Sequence, residues 1–190
     1  MGDSGVNLQK INSFNRMRKS QQKFPSFLAI DFETANYYRD SACAVGLVLV
    51  QNNKIISKES FLIKPPSNWF VFTDLHGITW KDVKDQPTFK ELWPVIKNYF
   101  RGIDFITAHN ASFDKSVLNK CCERYELQPP NKPFICTMQI SRGFWGFEYY
   151  GLEDVCDYLK IPLNHHEALS DALACAKIMI KTIKRGYFNQ

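Results

Sequence analysis

The sequence predicts an α/β fold in which an antiparallel meander of strands is followed by strands that alternate with helices. Three apolar segments near the start of the chain are predicted as strands: Phe27–Asp31, Ala42–Gln51 and Ile55–Ile63. The segment Asn52-Asn53-Lys54 separates the last two, and asparagine favours the tight turn of a β-hairpin. Helical periodicity then alternates with one more short apolar strand, Ile103–Ala108.

The remaining segments are predicted as helices and loops. Thr88 and Glu91 form a capping-box pattern, which predicts a helix from this point to about Phe100 with a kink at Pro94. Segment 65–87 before it is predicted as a loop. A proline-rich link is predicted between Tyr125 and Thr137. The other predicted helices are Ser112–Tyr125, Thr137–Phe144, Leu152–Lys160 and Glu167–Lys184.

The length and charge predict one domain with a basic extension. A chain of 190 residues is long enough for one domain with its own core. Residues 1–24 are polar and basic and are predicted as a flexible arm, so that the domain spans 25–190. The formal net charge of +5 is compatible with an anionic partner but is not that of a histone-like binder.

The cysteines predict a reduced, cytoplasmic protein. None of the six forms a C-x-x-C pair, which argues against a zinc site. Several lie in apolar segments, where a free thiol behaves as a small hydrophobic group. The first residues lack the apolar core of a signal peptide, and no apolar run is long enough for a membrane span.

Two acids at the end of the first strand are the first candidates for chemistry. Asp31 and Glu33 are two residues apart, so their side chains lie on the same face of a strand. Neighbouring carboxylates repel each other unless positive charge lies between them, and oxygen ligands suit Mg²⁺ or Mn²⁺. A strand end that carries two solvated acids is the alternative interpretation.

Two further clusters follow along the chain. Asp114 is predicted in the first turn of a helix, where the helix dipole by itself favours an acid. Asp171 interrupts an apolar helix face, which is unusual without a partner. His166 lies five residues earlier, too far around an ideal helix to share that face, so we place it in a loop folded over the same site. An exposed pair of loop histidines, His165 and His166, is the alternative.

Taken together, these clusters resemble the motifs of the DEDDh exonuclease family. Within it they are similar to the proofreading (epsilon) subunit of bacterial DNA polymerase III and its free-standing relatives. The resemblance covers about residues 27–184. Its motifs are D-x-E at Asp31-Phe32-Glu33, H-G-I-T at 76–79, H-N-x-x-F-D at 109–114 and H-x-A-x-x-D at 166–171.

The resemblance implies an RNase H-like fold, a mixed five-stranded sheet flanked by helices, and two divalent metal ions, Mg²⁺ or Mn²⁺. Asp31 would bridge both ions, Glu33 and Asp171 would complete one site, and Asp114 would hold the second ion. His166 would act as general base.

Substrate recognition is also implied by the resemblance. Glu33 would orient the terminal 3′-OH as well as bind metal. The remaining predicted substrate contacts are Thr34, His76, Gly77, Ile78 and Asn110. A plain core role for Ile78 is the alternative there.

The predicted substrate is a single-stranded or frayed 3′ end of DNA. RNA is the alternative within the same chemistry, as in relatives that resemble RNase T or oligoribonuclease. A non-catalytic, polymerase-associated subunit is the alternative of a different class. Because the chain ends soon after its last helix, we expect a stand-alone nuclease with at most weak polymerase association.

Overall fold

A five-stranded mixed sheet organises the computed structural model, which describes residues 24–189. The strand order is β3-β2-β1-β4-β5. The first three strands form the antiparallel meander, and β4 and β5 run parallel to β1. The strand bounds are β1 Phe27–Thr34, β2 Ala42–Gln51, β3 Lys54–Leu62, β4 Phe105–Ala108 and β5 Phe134–Cys136.

Helices cover both faces of this sheet. Two 3-10 helices, Lys97–Phe100 and Tyr187–Asn189, accompany the α-helices. The α-helices are α1 Thr73–His76, α2 Trp80–Val83, α3 Phe89–Ile96, α4 Ala111–Arg124, α5 Thr137–Gly143, α6 Leu152–Leu159 and α7 Ala168–Lys184.

The alternation of side chains along β1 divides the core into two parts. Leu28, Ile30 and Phe32 pack with residues of α3 and α4 on one face of the sheet. Phe27 and Ala29 pack with residues of α6 and α7 on the other. Since successive residues of a strand point to opposite faces, Asp31 and Glu33 lie on the α7 face.

A close backbone contact positions the beginning of α7. Gly46 of β2 pairs in register with Asp31, and a Cβ atom at Gly46 would lie only 2.1 Å from the carbonyl oxygen of Ala168. Only a residue without a side chain allows this approach. The first turn of α7, which carries Asp171, is therefore held directly against the sheet beside Asp31.

The predicted fold class is confirmed, and most element bounds agree within a few residues. β2 has the predicted bounds, and Asn52 and Asn53 adopt the left-handed backbone that their hairpin requires, with φ of 51° and 58°. The capping box of Thr88 and Glu91 is present.

Four element predictions require correction. The predicted loop 65–87 contains α1 and α2, because each is a single turn too short for helical periodicity to reveal. The predicted helix to Phe100 ends as an α-helix at Ile96 and tightens into a 3-10 turn. β1 continues to Thr34, and β4 begins only at Phe105.

The fifth strand lies where the sequence indicated only a link. β5 has three residues, and it is held by parallel pairing to β4 rather than by its own pattern. The predicted arm lies outside the described residues except for Phe24, whose half-buried side chain packs against the α7 face. No helix within residues 24–189 has both the length and the apolar character needed to cross a membrane.

The approach of α7 to β2 gives a first testable prediction. Gly46→Ala should destabilise the protein by about 1–3 kcal/mol, because the added methyl group forces helix and sheet apart. Urea unfolding followed by circular dichroism measures this change.

Gly143→Ala is the matched control, since an added Cβ there meets no atom within 4 Å. It should unfold at or above the wild-type urea midpoint. An unchanged midpoint for Gly46→Ala would mean that α7 does not rest on this backbone.

Candidate functional site

Four buried or half-buried carboxylates from three elements meet at the end of β1. Asp31 and Glu33 come from β1 itself, and Asp114 and Asp171 lie in the first turns of α4 and α7. β4 runs parallel to β1, so its carboxyl end delivers α4 to the same edge of the sheet. The backbone N–H of Phe32, between the two β1 acids, donates a hydrogen bond of 3.0 Å to Asp114 Oδ1.

Burial raises the pKa values of all four acids, and neighbouring carboxylates add to the rise at Asp31, Glu33 and Asp114. Burial raises the pKa of Glu33 to about 8, and neighbouring Asp171 and Asp114 add to it. Burial raises the pKa of Asp114 to about 7, although hydrogen bonds from the backbone and the charge of Arg39 oppose the rise. The pKa of Asp31 is raised well above its usual value by burial and by the other three carboxylates.

Asp171 joins this group through the two histidines of the preceding loop. His165 Nδ1 lies 2.8 Å from Asp171 Oδ2, and the backbone N–H of His166 donates to the same oxygen at 3.2 Å. Burial raises the pKa of Asp171, and the nearby imidazole of His165 opposes that rise. The two imidazole rings stack with centroids 3.8 Å apart.

The donor set fits a divalent cation. Asp171 Oδ1 is buried and has no hydrogen-bond partner among the described residues. A buried oxygen without a partner is costly unless a cation compensates it. His165, His166 and Asp171 each offer one ligand atom within 4.8 Å of the others, and they are the only such group in residues 24–189.

His166 lies beside Asp171, as its motif predicted. Its φ of 67° is left-handed, and this turn of the backbone directs its N–H toward Asp171. Burial lowers the pKa of His166, and the adjacent His165 lowers it further. His165 is partly exposed, with 34% of its side chain accessible, but its ring is bonded to Asp171.

The H-G-I-T element joins the strand just after Glu33. His76 Nε2 donates to the carbonyl of Thr34 at 3.2 Å, and its Nδ1 accepts from the N–H of Ile78 at 3.0 Å. These bonds define a neutral tautomer, and burial lowers the pKa of His76 accordingly. Gly77 ends α1 with a φ of 75°, and Ile78 packs on a small core cluster with Ala35.

The H-N pair of the second motif has two separate roles. Asn110 is exposed with a φ of 62° and starts α4, four residues before Asp114. His109 donates from Nε2 to the carbonyl of Tyr150 and accepts at Nδ1 from the hydroxyl of Thr137, both at 2.9 Å. Burial lowers the pKa of His109 to about 4, so it is a neutral histidine that ties three segments together.

Sequence reasoning missed three contributors to this geometry. Gly46 and the ring of His165 hold α7 and Asp171 in place. The guanidinium of Arg39 lies 4.2 Å above the ring of Phe113, next to Asp114. An isolated glycine within an apolar strand indicates a close backbone approach, so the role of Gly46 could have been predicted from the sequence. The other two contacts depend on loop conformations that no local pattern specifies.

The fold and the site define an RNase H-like nuclease domain with acids gathered at the end of the first strand. The exonuclease family model RNase_T matches residues 28–179. The chain therefore belongs to this exonuclease family.

Two of the relatives that the sequence resembles are DNA polymerase III proteins. The PolC-type DNA polymerase III of Caldanaerobacter subterraneus subsp. tengcongensis is 30% identical over 84% of this chain, which spans only 12% of that polymerase. The epsilon subunit of DNA polymerase III from Aquifex aeolicus is 28% identical, with 86% of this chain and 83% of the subunit covered.

A solved structure of exonuclease X in complex with 5′ overhanging duplex DNA superposes with a TM-score of 0.70 and 26% identity. The match covers 85% of this chain and 93% of that one. These findings confirm the predicted DEDDh 3′–5′ exonuclease family, its epsilon-like character and the RNase H-like fold.

The raised pKa values predict how the metal-free protein responds to pH. Carboxyls that stay protonated in the fold up to pH 7–8 stabilise it relative to an unfolded chain in which they ionise near pH 4. This stability is lost as pH rises through the folded-state pKa values. In EDTA, the melting temperature should therefore fall between about pH 7 and 8.5, a window in which unfolded histidines are mostly neutral.

Glu33→Gln removes one of these ionisations and should make the fall smaller. Glu148→Gln changes an exposed acid and should keep the full wild-type fall. Equal falls in all three proteins would show that the clustered acids do not titrate in this range.

Proposed function

We propose that this chain is a metal-dependent 3′–5′ exonuclease that hydrolyses phosphodiester bonds from the 3′ end of nucleic acid and releases nucleoside monophosphates. The observation that carries the proposal is the convergence of four carboxylates at the end of β1, with a buried oxygen of Asp171 left unpartnered. Such an arrangement is unfavourable for the protein alone and becomes favourable around cations.

Asp31, Glu33, Asp114 and Asp171 would hold two divalent ions, Mg²⁺ or Mn²⁺. When bound, such ions lower the pKa of water and offset the negative charge that develops on phosphate oxygens. The carboxylates would then be ionised, since the bound cations compensate the burial and the repulsion that raise their pKa values. Their placement at one strand end, against a helix held by Gly46, keeps them positioned without substrate.

His166 is proposed as the general base. Its lowered pKa keeps the imidazole neutral at physiological pH, which is the form that accepts a proton. Its backbone N–H is bonded to Asp171, and its ring stacks on His165 with a nitrogen within 4.8 Å of an Asp171 oxygen. His165 uses Nδ1 to bind Asp171, and we assign it the task of positioning this loop.

Glu33 and the H-G-I-T element are proposed to select the 3′ end. Glu33 would accept a hydrogen bond from the terminal 3′-OH. Thr34, His76, Gly77, Ile78 and Asn110 would line the terminal nucleotide. The bond between His76 and Thr34 supports this role, because it fixes the element next to Glu33.

DNA is the favoured substrate, since the epsilon subunit and the exonuclease X complex with duplex DNA are both similar over most of their length. RNA is the second substrate for the test below. Weak association with a polymerase is proposed from the epsilon and PolC-type relatives. The cytoplasmic location and a stand-alone role stay predictions.

The first functional prediction concerns polarity. With Mg²⁺ or Mn²⁺, 5′-labelled DNA oligonucleotides should shorten one nucleotide at a time, and EDTA should stop the reaction. Asp31→Asn should abolish turnover and also most of the rise in melting temperature that Mn²⁺ gives the wild type. Matched DNA and RNA oligonucleotides compare the two substrates. Cleavage of circular single strands, or loss of the 5′ label as the first product, would contradict the proposal.

The second functional prediction separates the two adjacent histidines. His166→Ala should lose about 10²–10⁴-fold in turnover at saturating metal, because it removes the base and leaves the acids intact. His165→Ala is the matched neighbour and should stay within about tenfold of wild type. Turnover of each variant is measured over a series of Mn²⁺ concentrations. A reversed order would assign proton transfer to His165, and full activity in both variants would remove histidine from the chemistry.

A further inference from the structure

A cluster of exposed aromatic side chains lies beside the proposed active site. Tyr37, Tyr38 and Trp69 are 68%, 66% and 46% exposed, and half-buried Phe72 lies beneath them. Trp69 has ring-centroid distances of 6.2 Å to Tyr37 and 6.0 Å to Tyr38, and Tyr37 lies 5.0 Å from Phe72 in an edge-to-face contact. We call these four residues the aromatic platform. A contiguous exposed apolar patch of this kind indicates a binding surface.

Buried polar contacts attach the aromatic platform to the residues that follow Glu33. Asn36 is buried, and its Nδ2 donates to the carbonyl of Trp69 at 2.9 Å, while its Oδ1 accepts from the N–H of Tyr38 at 3.0 Å. The N–H of Val71 donates to the carbonyl of Ala35 at 2.7 Å. The exposed rings are thus presented by a hydrogen-bonded pair of loops.

The aromatic platform is within reach of the next nucleotides of a bound strand. Tyr37 is four residues after Glu33, so the Cα atoms of the two are at most about 14 Å apart. Arg39, on the same loop as Tyr37 and Tyr38, lies over Phe113 and supplies positive charge near Asp114. An aromatic surface with a neighbouring cation matches the faces of bases and the phosphates that join them.

We propose that the aromatic platform stacks the unpaired bases 5′ of the nucleotide that is being removed, and that it thereby selects single-stranded or frayed 3′ ends. This inference rests on the proposed function. In a paired duplex the bases stack on one another and cannot spread over protein rings, so a blunt end gains nothing from this surface.

Steady-state kinetics on a thymidine octanucleotide and on the p-nitrophenyl ester of thymidine 5′-monophosphate test the proposal. The ester places a scissile phosphate at the acids but has no base 5′ of it, whereas the octanucleotide reaches the platform. Trp69→Ala and Tyr38→Ala should each lower kcat/KM for the octanucleotide by roughly 5- to 150-fold, the range set by the loss of one stacked base. Both variants should stay within twofold of wild type on the ester and on a blunt duplex. Trp69→Phe retains a ring and should recover most of the octanucleotide rate.

Phe188→Ala is the matched control. Phe188 is also 46% exposed, but it packs against Phe105, at the opposite end of the parallel strands. It should leave the preference for the octanucleotide unchanged. An equal loss on both substrates, or no loss on either, would overturn the proposal, and the second result would leave the platform as a surface for a protein.

Binding separates failure of this inference from failure of the proposed function. In EDTA, the octanucleotide should quench the tryptophan fluorescence of the wild type, and Trp69→Phe should lose most of that quenching. Quenching without any 3′ cleavage in Mg²⁺ would retain the aromatic platform and reject the exonuclease. Cleavage without quenching, and without a preference for the octanucleotide, would retain the exonuclease and reject the aromatic platform.

Discussion

Repulsion among the acids at the end of β1 is the constraint to which the rest of this structure responds. Burial and neighbouring charge raise the pKa values of Asp31, Glu33 and Asp114. These acids are therefore harder to ionise in the folded chain than they would be in water. Other interactions must offset the free energy that it costs to hold these acids together in the fold. Two apolar layers, one on each face of β1, pack α4 and α7 against the sheet and so bring their acids to the strand end.

The rigid parts of the site are those that oppose this repulsion most directly. The N–H of Phe32 bonds Asp114, the loop of His165 and His166 bonds Asp171, and Gly46 lets α7 rest on the sheet. Each contact uses the backbone or an imidazole ring and adds no lysine or arginine. The site therefore keeps its capacity for metal, because a lysine or arginine in the same place would neutralise the acids permanently.

The sequence predicted the sheet and the identity of the acids better than it predicted the connections between elements. Long apolar strands such as β2 and the capping box at Thr88 are local signals, so β2 appears with the expected bounds and the capping box begins its helix as predicted. β5 has only three residues and exists because β4 offers it partners, so it had no pattern to detect. The motif placed His166 beside Asp171, but the ring contact of His165 depends on a left-handed turn that spacing does not encode.

The same loop shows how a strained backbone supports chemistry. A left-handed conformation at a residue other than glycine costs roughly 1–2 kcal/mol. At His166 this conformation points the N–H at Asp171 Oδ2 while the ring stacks on His165. One residue thus contributes a backbone donor that holds a metal-binding acid and a neutral ring that is proposed to take a proton. Because both tasks depend on one φ angle, positioning of the acid and positioning of the base are coupled, and a change in this loop is expected to alter both together.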